Sequence, residues 1–583
     1  MLRQAEAPVA WLPEAPRHTV GTTIGALGGG RVTTADDGVR VGGDAAAGPP
    51  VWAVLATQLL VCVLVTLVAP ASVTPWAQLL AAAAVVLLYR LPRWSGRPAG
   101  PPLPGRPRAA PAVDVVDLVS PDRSLVGCVD SGRSGGRHLV TTALEISAGA
   151  DIVTELGTGP GSDAPGDAVR RVPLALLAAQ LDAAGPALEG VDVCVEGRRS
   201  APGPVGSAYA ELVGPLPVVA TRRVTVLLRL DLLAPGCVPG DAAPVPDPDP
   251  DRVASVVALA TERVRRAVVH HGFPCRVLGA AELAELYLAA TEAGTGAEAV
   301  VVPAGPGCRA ALDRVWSTPA DSVTETLRLR RAPGAPPGTV RVHATIGTTA
   351  AGVSPLEAAG EAGAVRSDRP GARPVPGERG RLTPRSAVAE WPVRALDTLA
   401  PVAHGCGQIL GATAAGRALA MPVCGPHLRS VLLAGDERLV RQVAFRAVAA
   451  GNRLAVVTDT PARWSGTAAA LRGALHLSGP DAADPAVPVD AVFWDVAGPL
   501  GEARIDAFAG PDGADVVPPT VVRVVPTGSE QARAEFEEAL AAGPDLVLDG
   551  RIPGWLAVER PGRGPVTVSV VGVPAEEQAA LHP

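Results

Sequence analysis

The sequence predicts an N-terminal two-helix transmembrane hairpin followed by cytoplasmic α/β domains, one of them α+β and one a Rossmann-like βαβ domain. Three observations support this expectation. Residues Val51 to Tyr89 hold two apolar runs and contain no Asp, Glu, Arg or Lys. From Val113 onward, stretches of period-two spacing alternate with stretches of helical spacing. Towards the C-terminus a strand, a helix and a second apolar strand follow one another closely, the order of a βαβ unit.

A helix rises about 1.5 Å per residue and a hydrocarbon core is roughly 30 Å thick, so about 20 apolar residues span it, with a lower limit near 17. The first run of Val51 to Tyr89 meets that length and the second lies at its lower edge. Trp52, Trp76, Tyr89 and Trp94 fall where an aromatic belt is expected, and Arg90 and Arg93 can snorkel towards headgroups. Arg3, Arg17, Arg31 and Arg40 precede the runs, while Arg90, Arg93, Arg97, Arg106 and Arg108 follow them. The loop from Pro70 to Thr74 has no positive charge, so both termini are expected to be cytoplasmic in a protein of the inner (plasma) membrane. The runs begin about fifty residues into the chain, unlike a signal peptide. A buried soluble hairpin is the remaining alternative.

The chain has 583 residues, with 65 Gly, 60 Pro and 3% aromatic residues. Its 48% apolar share still permits ordinary cores, built mainly from Ala, Val and Leu. All 51 basic residues are arginine, since lysine is absent. A P-loop needs a lysine to reach the terminal phosphates, and Schiff-base chemistry needs one as nucleophile. Both are therefore excluded. A net charge of -7 argues against general nucleic-acid binding. Eight cysteines occur without C-x-x-C spacing, so neither a disulfide framework nor a zinc ribbon is indicated.

In order along the chain, residues 1–50 read as a disordered cytoplasmic tail, 51–90 as the membrane hairpin and 91–112 as a basic, Pro-rich linker. Residues 113–305 read as an α+β domain. Its strands include VDVCVE at Val191 to Glu196 and RVTVLLRLDL at Arg223 to Leu232. Its longest helix runs from Val253 to His271. Residues 306–351 read as a β-hairpin segment built from TETLRLRR and TVRVHATI. Residues 352–385 are rich in Pro, Gly and charge and read as a disordered loop. Residues 386–583 form the Rossmann-like α/β unit, with RSVLLA, DERLVRQVAFRAVAA and RLAVVT as its first strand, helix and second strand.

Several constellations could carry chemistry. The first turn of the βαβ unit, AGDER, has one glycine followed by Asp436 and Glu437, whereas a dinucleotide fingerprint needs G-x-G-x-x-G. Its acids suit the helix dipole and repel phosphate. Asp459 could hold a ribose but reads better as a turn residue before Thr460 and Pro461. His404, Cys406, Cys424 and His427 resemble a zinc set, although an apolar hairpin over GQILGATAAGRALAMPV explains the same residues without metal. His270 and His271 suit a helix C-terminus. Gly127, Cys128 and Asp130 lack nucleophile-elbow spacing, and PDPDPD at Pro246 to Asp251 is broken by prolines as a calcium loop. No catalytic residue, cofactor-binding residue or metal ligand is assigned, and no cofactor is expected.

Taken together, the order of segments resembles the EccE family, a membrane component of actinobacterial type VII (ESX) secretion systems. The similarity lies in the N-terminal apolar pair with its basic linker and in VPLALLAAQLDAAGPALEGVDVCVEGRR from Val172. It continues through YAELVGPLPVVATRRVTVLLRLDLL from Tyr209, HGCGQILGATAAGRALAMPVCGP from His404 and SVLLAGDERLVRQVAFRAVAAGNRLAVVTDTPARW from Ser430. The long N-terminal tail and the insertion from Gly352 to Pro384 depart from the family pattern. The resemblance implies a non-catalytic structural subunit of an inner-membrane secretion complex. Its implied partners are EccD-, EccB- and EccC-like components and the lipid bilayer. Ala81, Ala82, Ala83 and Ala84 are the expected membrane-partner contact, because small residues let helices approach closely. The alternative is a membrane-tethered nucleotide- or sugar-using enzyme, which predicts a deep polar pocket near Gly435 and Asp459.

Overall fold

The computed structural model describes residues 30–35, 38–43 and most of the chain from 113 to 581. Its larger omissions in that span are 157–169, 234–249, 350–363, 367–372, 374–387, 481–488 and 498–517. The chain divides into two compact units, Met1–Val115 and Val116–Pro583. In the first, Gly30–Ala35 and Gly38–Gly43 pair as an antiparallel hairpin with Gly30 opposite Gly43.

In the second unit, one sheet is antiparallel throughout. Its strands run in the order Leu125–Ser134, Arg137–Ile146, Thr221–Asp231, Leu188–Arg198, Ser322–Arg331, Thr339–Thr349, Glu298–Val302 and Val365–Arg366. Alternation sets its core. Val191, Val193 and Val195 share one face with Val224, Val226, Leu228 and Leu230 of the neighbouring strand. The helix Pro250–His270 covers that face with Ala260, Val264 and Val268, spaced four residues apart on one side. Each such buried Val or Leu contributes about 1.5–3 kcal/mol.

The other sheet has eleven strands. Six are mutually parallel, in the order Leu475–Ser478, Leu454–Thr458, Ala491–Asp495, Thr520–Val525, Ser430–Ala434 and Leu546–Asp549. The sheet then continues antiparallel through Trp555–Glu559, Val566–Ser569, Gln408–Ala412, Ala418–Met421 and Thr154–Leu156. The parallel strands are covered on both faces, which explains uninterrupted apolar runs such as LAVVT and AVFWD. On one face lies the helix Glu437–Ala449, whose Val440, Ala444 and Val448 join Val431, Leu433, Val522 and Val524. On the opposite face the helix Glu530–Ala541 joins Leu432, Ala434, Val525 and Val547 through Ala532, Phe536 and Ala539.

The two sheets are stitched together by segments far apart in sequence. Thr154–Leu156 pairs with Ala418–Met421. The helix Pro204–Val213 follows a strand of the first sheet, yet buries Tyr209 and Val213 in the core of the second. The Tyr209 hydroxyl accepts a hydrogen bond from the Ile409 amide at 2.8 Å. Cys406 and Gly407 donate their amides to Val219 and Ala220, both at 2.9 Å.

These findings correct the expected fold class. The described chain is mostly β-sheet, two large sheets in which antiparallel pairings outnumber parallel ones, rather than a membrane hairpin followed by α/β domains. Among the described residues, no helix is long and apolar enough to cross a membrane. The expected hairpin at 51–90 and its contact residues Ala81, Ala82, Ala83 and Ala84 lie outside the described residues. The physical reason for the correction is that strand spacing is legible locally while strand partners are not. Strands of ten and eleven residues such as Ser322–Arg331 and Leu188–Arg198 pair antiparallel over nine residues, giving one broad sheet.

Candidate functional site

Parallel sheets commonly hold ligands outside the carboxyl ends of their strands, where successive helices leave for opposite faces. Here that point lies beyond Ala434 and Val525, since Glu437–Ala449 and Glu530–Ala541 cover opposite faces. Leu439 packs into this crevice. A Cβ on Gly435 would come within 2.7 Å of Leu439 Cδ2, and one on Gly550 would run into the same atom. The chain ends are also tied directly: Gly550 donates its amide to Ala434 O at 2.7 Å, and Gly435 donates to Val525 O at 3.3 Å. Asp436 is used as the helix cap, accepting from the Leu439 amide at 2.8 Å. The helix stops at Ala449, and Gly451 follows at φ 103°.

The other acids at these strand ends are engaged too. Asp495 is 8% exposed and accepts from Trp464 Nε1 at 2.7 Å, Arg463 Nη1 at 3.3 Å and Thr458 Oγ1 at 3.4 Å. Asp459 accepts only locally, from Thr460 Oγ1 at 2.8 Å, among the described residues. The nucleotide- or sugar-enzyme alternative predicts a deep polar pocket near Gly435 and Asp459, and neither residue lines the cavities at Ser207, His404, Trp555 or Asp490.

The four candidate zinc residues do not converge. His404, Cys424 and His427 line one cavity of about 230 Å³, together with Glu145, Arg222 and Arg223. Cys406 points elsewhere, its thiol donating to Val219 O at 3.1 Å. Burial pushes that thiol up to about 11 and raises Cys424 further. His404 Nδ1 meets Gly405 O at 3.2 Å. Burial, aided by Arg222 and Arg170, lowers its pKa to about 4, so the ring is neutral near pH 7. Among the described residues, no three His, Cys, Asp or Glu side chains are grouped to hold a metal.

Of the remaining sequence candidates, Gly127 and Cys128 lie inside the strand Leu125–Ser134. Cys128 is 2% exposed, and burial followed by Asp130 raises its pKa, the opposite of an activated thiol. Asp130 instead meets His138 Nε2 at 2.9 Å. His270 ends its helix, and His271 stacks on Phe273 at 6.2 Å. Asp251 sits in the first turn of the same helix.

The charged groups that sequence inspection missed are interior. Asp192 is fully buried between Arg229, 2.7 Å away, and Arg330, 2.5 Å away. Burial would raise its pKa, but Arg229, Arg330 and Arg328 outweigh it and hold the carboxyl well below the usual range. Glu325 is also fully buried, accepting from Trp316 Nε1 at 2.6 Å and Arg309 Nη1 at 2.9 Å. Arg446 binds Glu576 through Nε at 2.6 Å and Nη2 at 3.0 Å. The only local signal is a polar residue inside an otherwise apolar run, as in VDVCVE or FRAVAA, and it does not name the partner.

One open cleft lies beside the crevice into which Leu439 packs. It encloses about 440 Å³ beyond the carboxyl ends of Thr520–Val525 and Leu546–Asp549, and its walls include Thr527, Ser529, Arg533, Arg551, Trp555 and Thr567. Arg551 lies 4.0 Å over the Phe536 ring and is held by Asp549 at 2.7 and 2.9 Å. Trp555 is 47% exposed. Comparison of the chain with protein-family models and with curated proteins gives no match to either.

Proposed function

We propose that this chain is a non-catalytic structural subunit of a type VII secretion complex in the plasma membrane, packing beside EccD-, EccB- and EccC-like components. The observation that carries this reading is the crevice at Gly435 and Gly550. Leu439 occupies the place where a sheet of this kind would otherwise admit substrate, and Asp436 is committed to capping. The EccE-like stretches from Val172, Tyr209, His404 and Ser430 supply the choice of complex. The uncharged run from Val51 to Tyr89 supports a membrane location. In the interior, Asp192, Glu325, Asp495 and Glu576 tie elements together, which suits a rigid scaffold.

The test is recovery of the tagged chain from its native membrane in mild detergent, followed by mass spectrometry. Co-recovery of EccB-, EccC- and EccD-like proteins is expected. Isolation without them, accompanied by turnover of a nucleotide sugar, would sink the proposal.

A further inference from the structure

We infer that the 440 Å³ cleft beside the Trp555–Glu559 strand binds a nucleoside phosphate, held by Trp555 on its ring and by Arg533 on its phosphate. This goes beyond the assembly role and does not rest on it. The volume falls within the range of small-ligand sites, and the cleft lies beside the crevice into which Leu439 packs, not in it.

The lining chooses the ligand class. Trp555 presents a large flat ring at 47% exposure, a platform on which any base can stack. Arg533 makes no ion pair with any described residue, so its guanidinium is available to an anion. Arg551 is already neutralised by Asp549 and fixed over Phe536, so it forms a rigid wall. Two arginines and one aspartate lie on its walls, and Glu537 of the helix Glu530–Ala541 acts on Arg551 from outside them. Glu530, the acid of the adjoining first helical turn, is not among the lining residues. Thr527, Ser529 and Thr567 offer hydroxyls suited to a sugar, although Ser529 also caps the Ala532 amide at 3.0 Å. Inorganic phosphate would leave Trp555 unused and a neutral aromatic would leave Arg533 unused. A nucleoside phosphate engages both.

The experiment titrates ADP, adenosine and inorganic pyrophosphate separately into the full-length chain by calorimetry. ADP is expected to bind saturably, with adenosine and pyrophosphate each at least tenfold weaker. Base stacking on an aromatic side chain is worth roughly 5- to 150-fold, so Trp555→Ala should weaken ADP about tenfold or more. Arg533→Ala should do the same, with partial recovery in Arg533→Lys. Hydrogen exchange of the unaltered chain provides a readout independent of variant folding: ADP should protect the amides from Gly528 to Arg533. Absence of saturable ADP binding, pyrophosphate binding as tightly as ADP, or ADP binding indifferent to both substitutions would overturn the assignment.

Discussion

Removing Glu576 should loosen the C-terminal helix Pro574–Leu581 and the strand beneath it by a predictable amount. The Arg446 and Glu576 side chains are 2% and 1% exposed. Arg446 also donates Nη1 to Ile409 O at 2.9 Å and Leu410 O at 3.2 Å, and Nη2 to Val571 O. Gln442 Nε2 adds bonds to Glu576 Oε2 at 3.1 Å and Val571 O at 3.2 Å. Deleting one member of a buried pair costs about 3–5 kcal/mol, because the other charge stays desolvated. The three carbonyls keep part of Arg446 satisfied, which places Glu576→Ala near the lower end, about 3 kcal/mol. Replacing both residues by methionine removes the stranded charge and should return the loss to within about 1 kcal/mol of the native chain. A chain of this size does not unfold in one step, so the assay is native-state hydrogen exchange on Pro574–Leu581 and Gln408–Ala412. An opening free energy unchanged to within about 0.5 kcal/mol, or a double variant as loosened as the single one, would refute the reasoning.

Two further outcomes follow from the same packing. The folded pKa of His404, about 4, lies below its ordinary 6.5, so the unfolded chain binds more protons between those values. Its stabilising contribution is complete above pH 6.5 and is lost as pH falls towards 4, by roughly 3 kcal/mol, and His404→Gln should flatten that part of a stability–pH profile. An unchanged profile would contradict the burial argument. Gly550→Ala should destabilise by about 1–3 kcal/mol because its Cβ meets Leu439, and Leu439→Ala in the same chain should relieve part of that loss. A neutral Gly550→Ala in thermal melts would show that Leu439 does not pack into the crevice.

Local order was legible in particular segments. SVLLA, its acidic cap and the helix ending near Gly451 follow from alternation, capping and the stop glycine, and they occur as Ser430–Ala434 and Glu437–Ala449. Partnership was not legible. VDVCVE reads as a strand with one wet face, yet Asp192 on that face is fully buried because Arg229 and Arg330 on the two neighbouring strands enclose it. Likewise, Glu576 looks like a surface acid of a short helix, and its partner Arg446 lies 130 residues earlier. The zinc-like set failed for a related reason. Spacing brought His404, Cys424 and His427 to one cavity, but local backbone geometry turned Cys406 towards Val219. The cleft at Trp555 has walls from two loops, a helix, the ends of two parallel strands and two antiparallel strands, and no single stretch of sequence announces it.

The central claim is that this chain works by assembly and not by catalysis. It is tested most directly by combining Asp436→Ala, Asp459→Ala and Asp495→Asn in the native gene and measuring both complex assembly and secretion. These are acids at the carboxyl ends of three of the parallel strands, Ser430–Ala434, Leu454–Thr458 and Ala491–Asp495, on which an enzyme would depend. Secretion that follows the amount of assembled complex, with full secretion wherever assembly is intact, is the predicted result. Intact assembly with secretion abolished would contradict it.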